Sequence, residues 1–121
     1  MYNLRLAIKA SGHDYLGRST VKNSLLIHSH KLQSITFTDN FVVGGKSKGS
    51  AVTVGSGVAL SDLYTAALAQ GKIVVGGTAA TVVAAGGYFQ GGGHSATSPL
   101  LGLAADNTLG EACVQILDYI C

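Results

Sequence analysis

The chain has 121 residues, of which 47% are hydrophobic and 12% charged, and its formal net charge is +2. That length allows one domain at most, and that composition excludes a disordered tail. Lys and Arg are scattered, which argues against a nucleic-acid partner, and no apolar run is long enough to cross a bilayer, which argues against a membrane one. A complete soluble domain carries roughly a quarter charged residues, so part of this surface is expected to be covered by something outside the chain.

Leu4 to Lys9 alternates apolar and polar side chains and reads as a half-buried strand. Ser24 to His28 reads as a buried strand and Ser34 to Thr38 as an alternating one. Phe41-Val42-Val43 and Ala51 to Val54 flank Gly44 to Gly49, which suits a hairpin turn. The clearest helix is Ser61 to Gln70, with Ser61 as N-cap, Asp62 at its positive end and Gly71 as its stop. Leu60, Leu63, Tyr64, Ala67 and Leu68 form its apolar stripe. Ile73 to Val75 is a short strand, and Val114 to Leu117 suits a last one. Strands with one clear helix and no internal repeat predict a single α+β unit.

Two segments carry the chemistry. In Lys9-Ala10-Ser11-Gly12-His13-Asp14-Tyr15-Leu16-Gly17-Arg18-Ser19, Ser11 and Gly12 let backbone come close to a ligand. Successive amides in such a turn form a concave donor site for phosphate oxygens, beside which His13 sits. A plain strand-to-loop turn with a hydrogen-bonded histidine is the alternative. Glycine is the compositional outlier, at 17 residues, and seven lie between Gly76 and Gly93. Backbone rather than side chains makes the contacts there. Gly45-Lys46-Ser47 imitates the end of a P-loop, but Asn40 stands where its first glycine belongs and a strand follows. Gly55-Ser56-Gly57 imitates a dinucleotide fingerprint, but Leu60 replaces its third glycine; it reads as an ordinary strand-turn-helix connection. His28 and His30 read as strand-end surface residues. Cys113 and Cys121, the only cysteines, do not establish an oxidising compartment.

The run from Lys9 to Ser19 resembles the flavin-attachment loop of FAD-linked oxidases of the berberine-bridge-enzyme-like group, in the vanillyl-alcohol-oxidase superfamily. A second block agrees: Val74-Val75-Gly76-Gly77, Thr81-Val82, and Gly86-Gly87-Tyr88-Phe89-Gln90-Gly91-Gly92-Gly93-His94-Ser95. Gly102-Leu103-Ala104-Ala105-Asp106-Asn107 is a third, and the three fall in the family's order over roughly residues 3 to 109. The resemblance implies a partial PCMH-type FAD-binding domain over residues 1–109, a mixed sheet with few helices and a glycine-rich loop, followed by a divergent tail over 110–121. It implies FAD joined covalently to His13, and a carbon–hydrogen or alcohol small-molecule substrate whose electrons pass to oxygen or another acceptor. Ser11, Gly12, Asp14 and Tyr15 would give loop backbone to the pyrophosphate, with Gly17, Arg18 and Ser19 closing the loop; Arg18 reads equally as a solvated charge. Gly76, Gly77, Gly86, Gly87, Gly91, Gly92 and Gly93 would bring main chain against the flavin, with Thr81, Gln90, His94 and Ser95 beside them. His94 could equally hold its own loop by a hydrogen bond.

The departures are as informative. Many relatives place a cysteine two residues after the paired glycines and join it to the flavin as well. Ala79 and Ala80 stand where they have cysteine and often proline, so a second link is not expected. The family's flavin domain normally begins one strand and one helix earlier and continues past the residue matching Asn107, and a substrate domain supplies the catalytic base. No catalytic base is assignable in this chain. Beside the flavin reading stand a non-catalytic remnant of such an oxidase and an unrelated glycine-rich ligand-binding module.

Overall fold

The computed structural model of the chain describes residues 4–110, 113–115 and 117–118, the last two groups by backbone pairing only. Strand β1, Arg5–Lys9, runs parallel to β2, Ser24–His28, in the register Arg5 with Ser24 to Lys9 with His28. Parallel strands need a connection of a dozen or more residues, usually a helix. Here residues 10–23 make it as a loop, closed by a short 3-10 turn at Arg18–Thr20. The loop of interest therefore leaves the C-terminal end of a parallel strand, where open α/β sheets place their ligands.

Both strands form as expected, but their burial does not follow. Only Ala7 of the pair is buried, while Leu6, Ile8, Leu25 and Ile27 are about half exposed or more. Parallel strands are ordinarily covered on both faces, which is why they read as apolar runs. This pair has that sequence without that cover. The isolated chain is accordingly expected to associate at micromolar concentration and to melt below about 60 °C. Light scattering and a thermal scan check this; a monodisperse monomer with a higher cooperative melt would contradict it.

The core lies in the antiparallel half. β3, Ile35–Thr38, pairs with β6, Ala51–Val54. β6 pairs in turn with β9, Cys113–Gln115, which pairs with β8, Thr108–Gly110, so the sheet order is β3-β6-β9-β8. The expected hairpin closes earlier than the sequence suggested. β4, Val42–Val43, pairs with β5, Lys46–Ser47, instead of with Ala51 to Val54. Gly44 and Gly45 both take positive φ, the two-residue turn whose twist matches antiparallel strands. β7, Lys72–Ile73, pairs antiparallel with β10, Leu117–Asp118; the last strand expected over Val114 to Leu117 includes Ile116, which lies outside the described residues.

Helix α1, Leu60–Ala69, covers the sheet, burying Leu60 and Leu63 against Val52, Val54 and Val58, with Ala67 buried as well. Leu68, assigned to the stripe from sequence, is 76% exposed. Gly71 ends the helix at φ +65°, as expected. Its start differs. The N-cap is Ala59, with no side-chain cap, and Ser61 lies inside the first turn. The Leu60 and Ser61 amides, which an α-helix cannot satisfy internally, donate instead to the carbonyls of Val82 (2.8 Å) and Ala80 (3.1 Å). A backbone bridge between Ala59 and Val83 extends this seam. The helix is capped by a distant segment. That segment runs on through a kinked turn at Ala84–Tyr88 to a short helix α2, Ser98–Leu101.

Candidate functional site

A cleft of about 700 Å³ opens between the loop after β1 and the segment after Ala80. Small-molecule sites typically occupy about 300–1,000 Å³. Ser11, Gly12, His13, Asp14, Tyr15, Arg18 and Ser19 line one wall. Val82, Val83, Ala85, Gly86, Gly87, Tyr88 and Gln90 line the other. Among the described residues a side-chain hydrogen bond joins the two walls, between His13 Nε2 and Thr81 Oγ1 at 2.9 Å. Two segments 68 residues apart in sequence meet there.

The first wall is folded by its own charges. Asp14 accepts from the Arg18 amide at 2.6 Å and from the guanidinium Nη2 at 3.0 Å, and its carbonyl takes the Gly17 amide. The Arg18 hydrogen bonds hold the Asp14 carboxyl below the usual carboxylate range, and Asp14 raises Arg18 in turn. Arg18 is thus both loop clasp and exposed charge, at 77% side-chain exposure. The pair's contribution is complete above the ordinary aspartate range and is lost as pH falls through the lowered value. As pH falls from about 5 to about 2 the Arg18 Nε–H resonance is expected to move as Asp14 protonates, and Asp14→Asn to abolish the movement. A resonance that does not shift in the parent chain would contradict the clasp.

The root of this wall is pinned from β2. The His28 ring Nε2–H donates to the Ala10 carbonyl at 3.0 Å, and the ring lies against His30, 4.2 Å between centroids with the planes tilted by 40°. His28, assigned no role from sequence, therefore supports the loop. The Ser29 hydroxyl donates to the Ser56 carbonyl at 2.7 Å. Ser29 and Ser56 also line the cleft, and sequence reasoning missed both. The available signal was Gly55-Ser56-Gly57. A side chain at Gly57 would stand 2.5 Å from the Ser29 carbonyl oxygen, and one at Gly55 2.2 Å from that of Leu32. Both glycines are required by close approach to the loop after β2, and the turn they allow presents Ser56 to the cleft.

The second wall divides the glycine-rich segment. Gly86 and Gly87 face the cleft, and nothing lies within 4 Å of where a Gly87 side chain would begin. Bare backbone there is open to a ligand. Gly76 and Gly77 do not line the cleft; they pack against Tyr64 and Tyr88. The Tyr64 hydroxyl donates to the Gly77 carbonyl at 2.6 Å, and burial, with Tyr88 adding, pushes it up to about 12, so it remains a donor. Gly91, Gly92 and Gly93 turn the chain away: the Ala104 and Ala105 amides donate to the carbonyls of Gly93 and Gly92. The exposed His94 accepts the Tyr88 hydroxyl at its carbonyl, and the buried Ser95 is bonded to Thr97 and Ser98. These residues brace the second wall from behind. Among the described residues no cluster of three or more His, Cys, Asp or Glu could hold a metal ion, and no helix is long and apolar enough to cross a membrane.

A strand-end loop and an open backbone turn face one cleft within an α+β fold, an arrangement suited to the phosphates of a nucleotide cofactor. The chain belongs to the FAD binding domain family, whose pattern it matches over residues 1–115. It is 54% identical over 112 residues to an uncharacterized FAD-linked oxidoreductase of Arthroderma benhamiae, covering 89% of this chain and 19% of that protein. It is 49% identical over 110 residues to the flavin-dependent oxygenase ucdF of Aspergillus ustus, covering 89% of this chain and 20% of that protein. The crystal structure of the VAO-type flavoprotein MtVAO615 from Myceliophthora thermophila C1 superposes with a TM-score of 0.83 at 46% identity, over 88% of this chain and 19% of that one. The family resemblance and the partial α+β fold read from sequence are both borne out. The chain spans about a fifth of the length of the relatives it matches.

Proposed function

We propose that this chain is the flavin-holding portion of an FAD-linked oxidoreductase, with FAD seated in the cleft and joined by a single bond to His13. The observation that carries the reading is the juxtaposition of His13 with the open backbone of Gly86 and Gly87 across one cleft. When bound, FAD supplies a ring that accepts two electrons from a small-molecule substrate. The chain's residues bind and orient it. Ser11 and Gly12 offer the loop to phosphate oxygens, and Gly87 lets the ring system lie against main chain. Ser56 also lines the cleft.

His13 would hold the flavin through one ring nitrogen, with dioxygen as the oxidant that would take up the two hydrogens and two electrons released as the link forms. Ala79 brings no sulfur to the wall that carries Thr81, so the link is single.

Incubating the purified chain with FAD and separating it by gel filtration tests the reading. Flavin absorbance is expected to travel with the protein, and a fraction is expected to survive denaturation. Protein free of flavin after saturation would overturn it and favour the non-catalytic remnant.

A further inference from the structure

We infer that the ring of Tyr88 offers one of its faces to the cleft as a stacking platform for a planar, electron-poor ring. That ring is the isoalloxazine, an identity that rests on the flavin reading; the availability of the face rests on the contacts of Tyr88 alone.

Tyr88 lines the cleft directly after the open backbone of Gly86 and Gly87. Its tip is already engaged on the far side. The hydroxyl donates to the His94 carbonyl at 2.8 Å, and a carbonyl only accepts, so the direction of this bond is fixed. Both sides of the ring are packed as well. A side chain at Gly77 would begin 3.1 Å from Cε2, and one at Gly93 3.1 Å from Cε1. The two glycines thus make room for the ring, one on each side. His94, Gly77 and Gly93 all lie outside the cleft lining. With the tip and both ε carbons against main chain behind the wall, a face is what the ring presents to the cleft.

The slot is held from behind by bonds whose directions are equally fixed. The Gly77 carbonyl accepts the Tyr64 hydroxyl at 2.6 Å, and the Gly93 carbonyl accepts the Ala104 amide at 3.0 Å. Phe89, the next residue, packs against the hydrophobic core. The ring therefore has little freedom to lose when a ligand binds. The face of a phenol carries negative charge density and stacks, offset, on electron-poor rings. Of the two planar rings of FAD the isoalloxazine is the electron-poorer, and the bare backbone of Gly87 beside Tyr88 leaves room for it.

Riboflavin, which has the flavin ring without the diphosphate, tests the platform by affinity and by emission. A tyrosine face against the ring quenches flavin emission by giving an electron to the excited ring and taking it back; a phenylalanine face does not. All chains carry Tyr15→Phe, because Tyr15 also lines the cleft. With Tyr88 in place, bound riboflavin is expected to be strongly quenched. Tyr88→Phe is expected to keep the affinity within about threefold and to restore emission, and Tyr88→Leu to weaken binding by about tenfold. Equal affinities with Tyr88 and in Tyr88→Leu, or equal emission with Tyr88 and in Tyr88→Phe, would overturn the inference and leave the flavin reading standing. ADP weakened by Tyr88→Leu while riboflavin is not would give the platform to adenine and overturn it likewise. A chain that takes up neither riboflavin nor FAD removes the flavin reading and the inference with it.

Discussion

His13→Ala is expected to abolish denaturation-resistant flavin completely, while reversible binding weakens by only about fivefold, the equivalent of one hydrogen bond of about 1 kcal/mol. The contrast follows from the division of labour in the cleft. The reversible contacts come from backbone at Ser11, Gly12, Gly86 and Gly87, which the substitution leaves in place. The proposed covalent bond needs a ring nitrogen, and among the described residues His13 is the one histidine lining the cleft. His94, its rival from sequence, is exposed and engaged through its carbonyl with Tyr88. In-gel flavin fluorescence on versions extended to the relatives' full length reads the outcome. Fluorescence kept in His13→Ala and lost in His94→Ala would transfer the role.

Leu63→Ala is expected to cost about 3 kcal/mol, as large-to-small changes at fully buried sites do, and to lower the melting point by roughly 10–20 °C. Leu63 is 0% exposed and belongs to a core whose largest fully buried side chains, among the described residues, are Leu60, Leu63, Val52, Val58 and Val75. Few other contacts can compensate for the cavity. Leu68→Ala, one turn further along the same helix but exposed, is expected to leave the melt within about 2 °C of the parent. Circular dichroism melts of the two variants decide the matter. Equal melting points would mean that α1 does not anchor the core.

Much of the fold was legible where local pattern and tertiary environment agree. Ile35–Thr38 alternates in sequence and in burial, and Gly71 ends the helix because its positive φ suits glycine. The misses came where the deciding partner is remote. Ser61 has the chemistry of an N-cap, yet the carbonyls that satisfy the helix start belong to Ala80 and Val82, and no local pattern encodes them. The leucines of β2 read as buried because they fall in an apolar run, and a sequence does not say which side is covered. In the site, the His13 loop and Gly86-Gly87 were recognisable as motifs. Ser56 was not, because Gly55-Ser56-Gly57 has the same pattern whether or not a cleft lies beside it. His28 escaped for a similar reason: its partner is the Ala10 carbonyl, and any residue presents a carbonyl.

The seam between α1 and the segment carrying Thr81 makes the helix start a remote gauge of the cleft. Val82 both lines the cleft and accepts the Leu60 amide, so filling the cleft is expected to change the hydrogen bonds at the helix start. Local opening of such a seam sets how fast those amides exchange with solvent. Their protection is therefore expected to report occupancy of the cleft from outside it, for coloured and colourless occupants alike.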